Sequence, residues 1–186
     1  MLVGAIFCDL EKAFDCVNHK ILLTKLEFYG ITGNHYKLYK SYLMNRYQRT
    51  LLYNDNGNII TSAWSKVKQG VPQGSVLGPL LFLIYINDLP KFVNGISVPI
   101  LFADDTSILV SHLNSGEFYN TINTVFQTLS NWFRNNLLSL NLTKIHFIRF
   151  VTKNNNHNEI NIKYDNKLLL ATNTTKFLGL KTVKDK

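Results

Sequence analysis

The chain reads as an α+β protein, an antiparallel sheet with helices packed on one face. Three observations point there. Two apolar strand candidates run directly into carboxylates, Leu2 to Cys8 into Asp9 and Val98 to Ala103 into Asp104-Asp105. A segment from Phe118 to Phe133 repeats its apolar residues with a helical period. Across the chain, strand and helix signals follow the order β-α-α-β-β-α-β-β-α-β.

The first strand is uniformly apolar and ends at Asp9-Leu10, followed by an irregular turn over Glu11 to Val17. Asn18 is a capping residue for a helix with Ile21, Leu22, Leu26 and Tyr29 at helical spacing, and Gly30 is its stop. Asn34 is placed to cap the next helix, packed through Tyr36, Leu38, Tyr39, Tyr42 and Leu43. Thr50 to Tyr53 and Ile59 to Val67 flank Asn54-Asp55-Asn56-Gly57-Asn58, whose Asn-Gly step supplies the positive φ of a hairpin turn. A loop punctuated by Gly and Pro, Gln69 to Ser75, feeds a helix over about 76–88 that is apolar on most faces and so expected to be buried. The hairpin carrying Asp104-Asp105 follows. Phe118, Ile122, Val125, Phe126, Leu129, Trp132 and Phe133 then form one face of a long helix. Lys144 to Val151 reads as a strand, Asn154 to Asn156 as a polar loop, and Ile160 to Leu180 as two or three further strands.

The 186 residues, 46% hydrophobic and 12% aromatic, suffice for one domain with its own core, and no repeat or linker divides them. Lys and Arg number 20 against 12 Asp and Glu, a formal +8 that suits a polyanionic partner such as nucleic acid. No basic amphipathic helix supports a membrane surface instead. The two cysteines, Cys8 in the first strand and Cys16, argue against a disulfide framework and for a reducing compartment. The apolar start lacks a basic leader region, and the longest apolar stretch, Val76 to Ile86, is shorter than the ~18 residues of a membrane span. A soluble, intracellular protein is expected, with nucleus or cytoplasm left open.

Carboxylates between core strands require positive charge nearby. If the first strand neighbours the hairpin, Asp9 and Asp104 converge in an oxygen-rich pocket suited to hard divalent cations. Two cations roughly 3.5–4 Å apart clamp the attacking and leaving oxygens of an in-line phosphoryl displacement, the chemistry of nucleotide polymerases. Taken alone, Asp104-Asp105 also fits a solvated turn.

Four segments, in order, resemble the palm of reverse transcriptases, most of all those of jockey-like non-long-terminal-repeat retrotransposons. They are Phe7 to Asp15 (FCDLEKAFD), Gln69 to Phe82 (QGVPQGSVLGPLLF), Phe102-Ala103-Asp104-Asp105, and Phe177-Leu178-Gly179. The resemblance implies that residues 1–186 are a reverse transcriptase domain, a palm fragment with fingers and thumb largely missing. It implies an RNA-directed DNA polymerase adding dNTPs to the 3′-hydroxyl of a DNA primer on an RNA template, with two magnesium ions, or manganese in their place. The rest of the mobile element's polyprotein is the expected further partner, and no membrane is. By the same likeness Asp9, Asp104 and Asp105 are catalytic, and with the Leu10 carbonyl they hold metal. Phe14, beside Ala13, lies under the nucleotide sugar and excludes a 2′-hydroxyl; Gln73 and Gly74 pack against the nucleotide. Lys144 stands near the departing pyrophosphate, although Ile145 replaces the small hydroxyl residue common there. Phe177, Leu178 and Gly179 support the primer. The alternative is a catalytically silent remnant that still binds nucleic acid through its charge, and isolated activity of the fragment is not expected.

Overall fold

The computed structural model describes residues 1–150 together with four short strands at 162–164, 167–169, 174–177 and 180–183. Two compact units account for the chain: Met1–Ala13 with Ile86–Lys186, and Phe14–Tyr85. Neither junction carries the Gly-, Pro- or Ser-rich composition of a linker, so the division leaves no mark in the sequence.

The first unit is built on a four-stranded antiparallel sheet. Its strands are β1 (Leu2–Cys8), β6 (Val98–Phe102), β7 (Asp105–His112) and β8 (His146–Phe150), in the order β6-β7-β1-β8. β1 pairs with β7 from Leu2↔His112 to Cys8↔Thr106, and with β8 from Val3↔Phe150 to Phe7↔His146. The helix α5 (Ser115–Asn135) lies against β1 and β7, and α4 (Leu89–Val93) against α5 and β6. The apolar stripe read from the sequence is the face that α5 buries: Phe118, Ile122, Val125, Phe126, Leu129, Trp132 and Phe133 are all inaccessible. Asn114 caps it, its side chain accepting a bond from the Gly116 amide. Gly4 admits this helix to the sheet, since a Cβ there would stand 2.8 Å from Phe147 and 2.9 Å from Phe118. Gly4, Ile6 and Cys8 therefore face α5, and alternation turns Ala5, Phe7 and the position after Cys8 to the opposite face. Burial pushes the Cys8 thiol up to about 12, so it is an inert core residue.

The second unit begins with α1 (His19–Phe28) and α2 (Gly33–Leu43). Asn18 caps α1 through bonds from the Lys20 and Ile21 amides. The expected cap of α2 is corrected: Asn34 lies inside the helix, and Thr32 occupies the N-cap without a side-chain bond. A two-stranded ribbon follows, in which β2 (Tyr47–Gln48) pairs with β5 (Ser65–Lys66) and β3 (Leu51–Tyr53) with β4 (Ile59–Thr61) around the Asn54–Asn58 turn. α3 (Leu77–Ile86) is only half as buried as its composition suggests. Leu81, Phe82 and Tyr85 are inaccessible, whereas Leu80 and Leu83 are exposed. Back in the first unit, the segment expected as two or three strands shows, among the described residues, four short ones, paired as β9 (Ile162–Tyr164) with β10 (Lys167–Leu169) and β11 (Thr174–Phe177) with β12 (Leu180–Val183).

Candidate active site

The acidic residues are placed by strand register. One step beyond the last β1–β7 pair, Cys8↔Thr106, stand Asp9 and Asp105, on the sheet face opposite α5. Phe102 pairs with Asp105, so Ala103 and Asp104 form the hairpin tip, with Ala103 at a φ of +52°. A non-glycine residue there is strained by roughly 1 kcal/mol, and it brings Asp104 onto the turn beside Asp105. Burial holds the Asp105 carboxyl above its ordinary value; the charges of Asp104 and Asp9 raise it further, and Lys144 opposes them. The Asp9 carboxylate meets the Lys144 ammonium at 3.1 Å.

The backbone after Asp9 is clamped. Asn141 donates to the Asp9 carbonyl and Glu11 to the Ser139 carbonyl, both at 2.9 Å, closing an antiparallel bridge between Leu10 and Leu140. Bonds made by the flanking residues turn the N–H and C=O of a bridged residue away from its partner, so the Leu10 carbonyl points away from Leu140. Among the described residues no three Asp, Glu, His or Cys side chains are gathered into a cation cage. The donor chemistry nevertheless fits one: carboxylates, with the charges of Asp104 and Asp9 both acting on Asp105, and a backbone carbonyl are hard oxygen ligands.

The second unit holds the remaining loop residues. Phe14 stacks on Phe82 with ring centroids 4.9 Å apart, and its carbonyl accepts from Val71 at 2.8 Å. Gly70 donates to the Val17 carbonyl at 2.8 Å. Its φ of +88° and the 2.9 Å that would separate a Cβ from the Asp15 carbonyl require glycine there. Gln73 is exposed, its amide donating to the Asp15 carboxylate at 3.3 Å. Gly74 has a φ of +78° with open space where a Cβ would point. Ala13, at the end of the first unit, is buried.

The structure therefore gathers Asp9, Leu10, Asp104, Asp105 and Lys144 in one unit, and Phe14, Gln73 and Gly74 in the other. Phe177 ends β11, while Leu178 and Gly179 lie outside the described residues. Four positioning residues escaped the sequence reading. Asp15 holds Gln73, and the buried His19 ring lies 2.7 Å from the Gly70 carbonyl. Tyr42 donates to the Ser75 hydroxyl, which in turn donates to the Pro72 carbonyl. Asp15 was open to detection through its place in the same turn as Phe14; a lone His or Tyr in a helix carries no such signal.

The chain belongs to the reverse transcriptase (RNA-dependent DNA polymerase) family, whose model matches residues 3–182. It is 30% identical over 183 residues to the probable RNA-directed DNA polymerase from transposon BS of Drosophila melanogaster, covering 95% of this chain and 20% of that protein. With the RNA-directed DNA polymerase from mobile element jockey of Drosophila funebris it shares 26% identity, over 95% of this chain and 19% of that one. The chain thus spans about one fifth of the length of these relatives. In fold it is similar to apo telomerase from Candida tropicalis, with a TM-score of 0.66 at 16% identity over 98% of this chain and 34% of that structure. Telomerase from Candida albicans gives 0.61 at 14% identity, over 98% of this chain and 30% of that structure.

Proposed function

We propose that residues 1–186 are the palm portion of a retrotransposon RNA-directed DNA polymerase that adds dNTPs to a DNA primer on an RNA template. The observation that carries this reading is the β1–β7 register, which sets Asp9 beside Asp105 with Asp104 on the adjoining tip. In the reaction the primer 3′-oxygen forms a bond to the α-phosphorus of the nucleotide, the bond to the bridging oxygen breaks, and pyrophosphate leaves with the displaced electron pair. Asp9, Asp104, Asp105 and the Leu10 carbonyl would hold two divalent cations, magnesium first and manganese as substitute. Such ions, when bound, favour the deprotonated primer hydroxyl and neutralise the triphosphate. Asp9 would exchange the Lys144 ammonium for cation contact, leaving Lys144 free to meet the charge on the departing pyrophosphate. Phe14, held by Phe82 and Val71, presents an apolar ring that offers a 2′-hydroxyl no hydrogen bond. Ala13 precedes it, and Gln73 and Gly74 supply an amide and an unobstructed backbone to the nucleotide. Phe177, Leu178 and Gly179 are assigned to the primer strand by likeness alone.

Primer extension on an RNA template with magnesium tests this, comparing this chain with the longer polypeptide of its element. Extension by the longer polypeptide, abolished by Asp104→Asn, is the expected result. Equal extension by the variant removes the carboxylate assignment, and a folded longer polypeptide that adds nothing identifies a silent remnant.

A further inference from the structure

The turn between α5 and β8 ties one residue to both the backbone and the side chain of Asp9. Leu138 and Ile145 are buried, so the segment between them is slung from two fixed points. Within it the Lys144 amide donates to the Asn141 carbonyl at 3.0 Å and closes a four-residue turn. The Asn141 side chain braces that turn from inside. Its Oδ1 accepts from the Thr143 amide at 3.2 Å and from the Thr143 hydroxyl at 2.7 Å. The Asn141 amide itself donates to the Asp9 carbonyl at 2.9 Å. Three residues later the chain returns to Asp9, whose carboxylate lies 3.1 Å from the Lys144 ammonium. Lys144 is exposed, and an ion pair in that setting is worth no more than about fivefold in an equilibrium. The pair therefore depends on where the backbone delivers Lys144.

We infer that Asn141 is a positioning residue: its side-chain oxygen shapes the 141–144 turn so that the Lys144 ammonium is carried back to Asp9, where it holds the place of a cation. Alanine at this position keeps the bond to the Asp9 carbonyl, because that bond uses the main-chain amide, and loses only the brace. With the brace gone, the Thr143 amide and hydroxyl turn to water, the turn opens, and Lys144 leaves Asp9 for solvent. Asp9 stays where strand register puts it, with its carboxylate uncovered. Aspartate offers the same acceptor as asparagine and keeps the turn. The consequence for cations is opposite in sign to that of damage. Loss of a competing ammonium strengthens cation binding by Asp9, whereas a disordered turn weakens it. That consequence rests on the proposed function, which takes the carboxylates as cation ligands; the delivery of Lys144 does not.

Acetylation of this chain by a water-soluble acetyl ester, read at Lys144 by mass spectrometry with the exposed Lys20 as internal reference, tests the delivery without metal. An ammonium engaged with Asp9 is withheld from the reagent. Asn141→Ala and Asp9→Asn are each expected to raise the Lys144 rate by about two- to fivefold, the worth of one exposed ion pair. Asn141→Asp stays at the wild-type rate. Asn141→Ala at the wild-type rate, Asn141→Asp as reactive as Asn141→Ala, or Asp9→Asn without effect each overturns the inference. Matching far-UV circular dichroism establishes that each variant is folded. Should Asn141→Ala unfold the chain, Thr143→Val, which removes the hydroxyl brace alone, is read in its place with the same direction expected. Manganese titration by calorimetry then reads the consequence: Asn141→Ala binds about two- to fivefold more tightly than wild type. Weaker binding by that variant identifies a disordered turn and overturns the inference. Absence of manganese binding in every protein strikes the proposed function instead, and the acetylation pattern still decides the role of Asn141.

Discussion

The sheet of the first unit and the ribbon of the second are both antiparallel, yet they use apolar residues in opposite ways. In the sheet, Ile6, Ile108 and Phe147 vanish under α5. In the ribbon, Leu52, Tyr53, Ile59, Ile60 and Trp64 all stand in solvent. Burial on one face fixes the sheet's register, because a slip of one residue would turn every core side chain outward. That register is what sets Asp9 beside Asp105. The ribbon has no buried face to enforce its pairing and depends on the Asn54–Asn58 turn and local bonds. Register is therefore most tightly fixed in the sheet that carries Asp9 and Asp105, and apolar surface is left open on the ribbon.

The largest effect that separates the two regions is catalytic. In the longer polypeptide, Asp104→Asn should lower nucleotide addition on the order of 1,000-fold, while thermal unfolding of this chain changes little. A melt that collapses with the substitution would make Asp104 a structural residue. Next comes packing: Phe126→Ala should cost about 3–5 kcal/mol in chemical denaturation, whereas Ile60→Ser in the ribbon should stay within about 0.5 kcal/mol. Equal losses would mean that the ribbon is buried in solution. Gly70→Ala, forced against the Asp15 carbonyl at a positive φ, should destabilise the second unit by roughly 1–3 kcal/mol; an unchanged melt would mean that the loop relaxes freely.

The smallest effect concerns pH. Because the Asp105 carboxyl titrates higher in the folded protein than in the unfolded chain, the folded state binds more protons between those two values. Its contribution to stability is complete below the unfolded value and is lost as pH rises through the folded one. Asp105→Asn should therefore melt above wild type at pH 7 in chelator, the gap closing as the pH falls toward 4. A gap that widens on acidification would reverse the electrostatic account.

Much of the first unit was legible in the sequence. The apolar run ending at Asp9, the paired strands around Asp104-Asp105 and the stripe from Phe118 to Phe133 each carry a periodicity that burial imposes. The Asn18 cap was equally readable, because a side chain that satisfies two amides leaves a local signature. What escaped was non-local. The ion pair between Asp9 and Lys144 joins positions that only the fold brings together. The tethers from Asp15 and Tyr42 to the loop are side-chain bonds across long separations. The exposure of Leu80 and Leu83 could not be read from composition, since an apolar helix carries no mark of which face stays open. Thr32, placed where Asn34 was expected, shows how two capping residues two positions apart leave the start of a helix undecided.

Titrating manganese into this chain by calorimetry, with Asp9→Asn and Asp104→Asn alongside, tests the assembly of carboxylates most directly. Saturable binding by the wild type that either substitution abolishes is the result predicted. Binding of equal strength in all three proteins would contradict it.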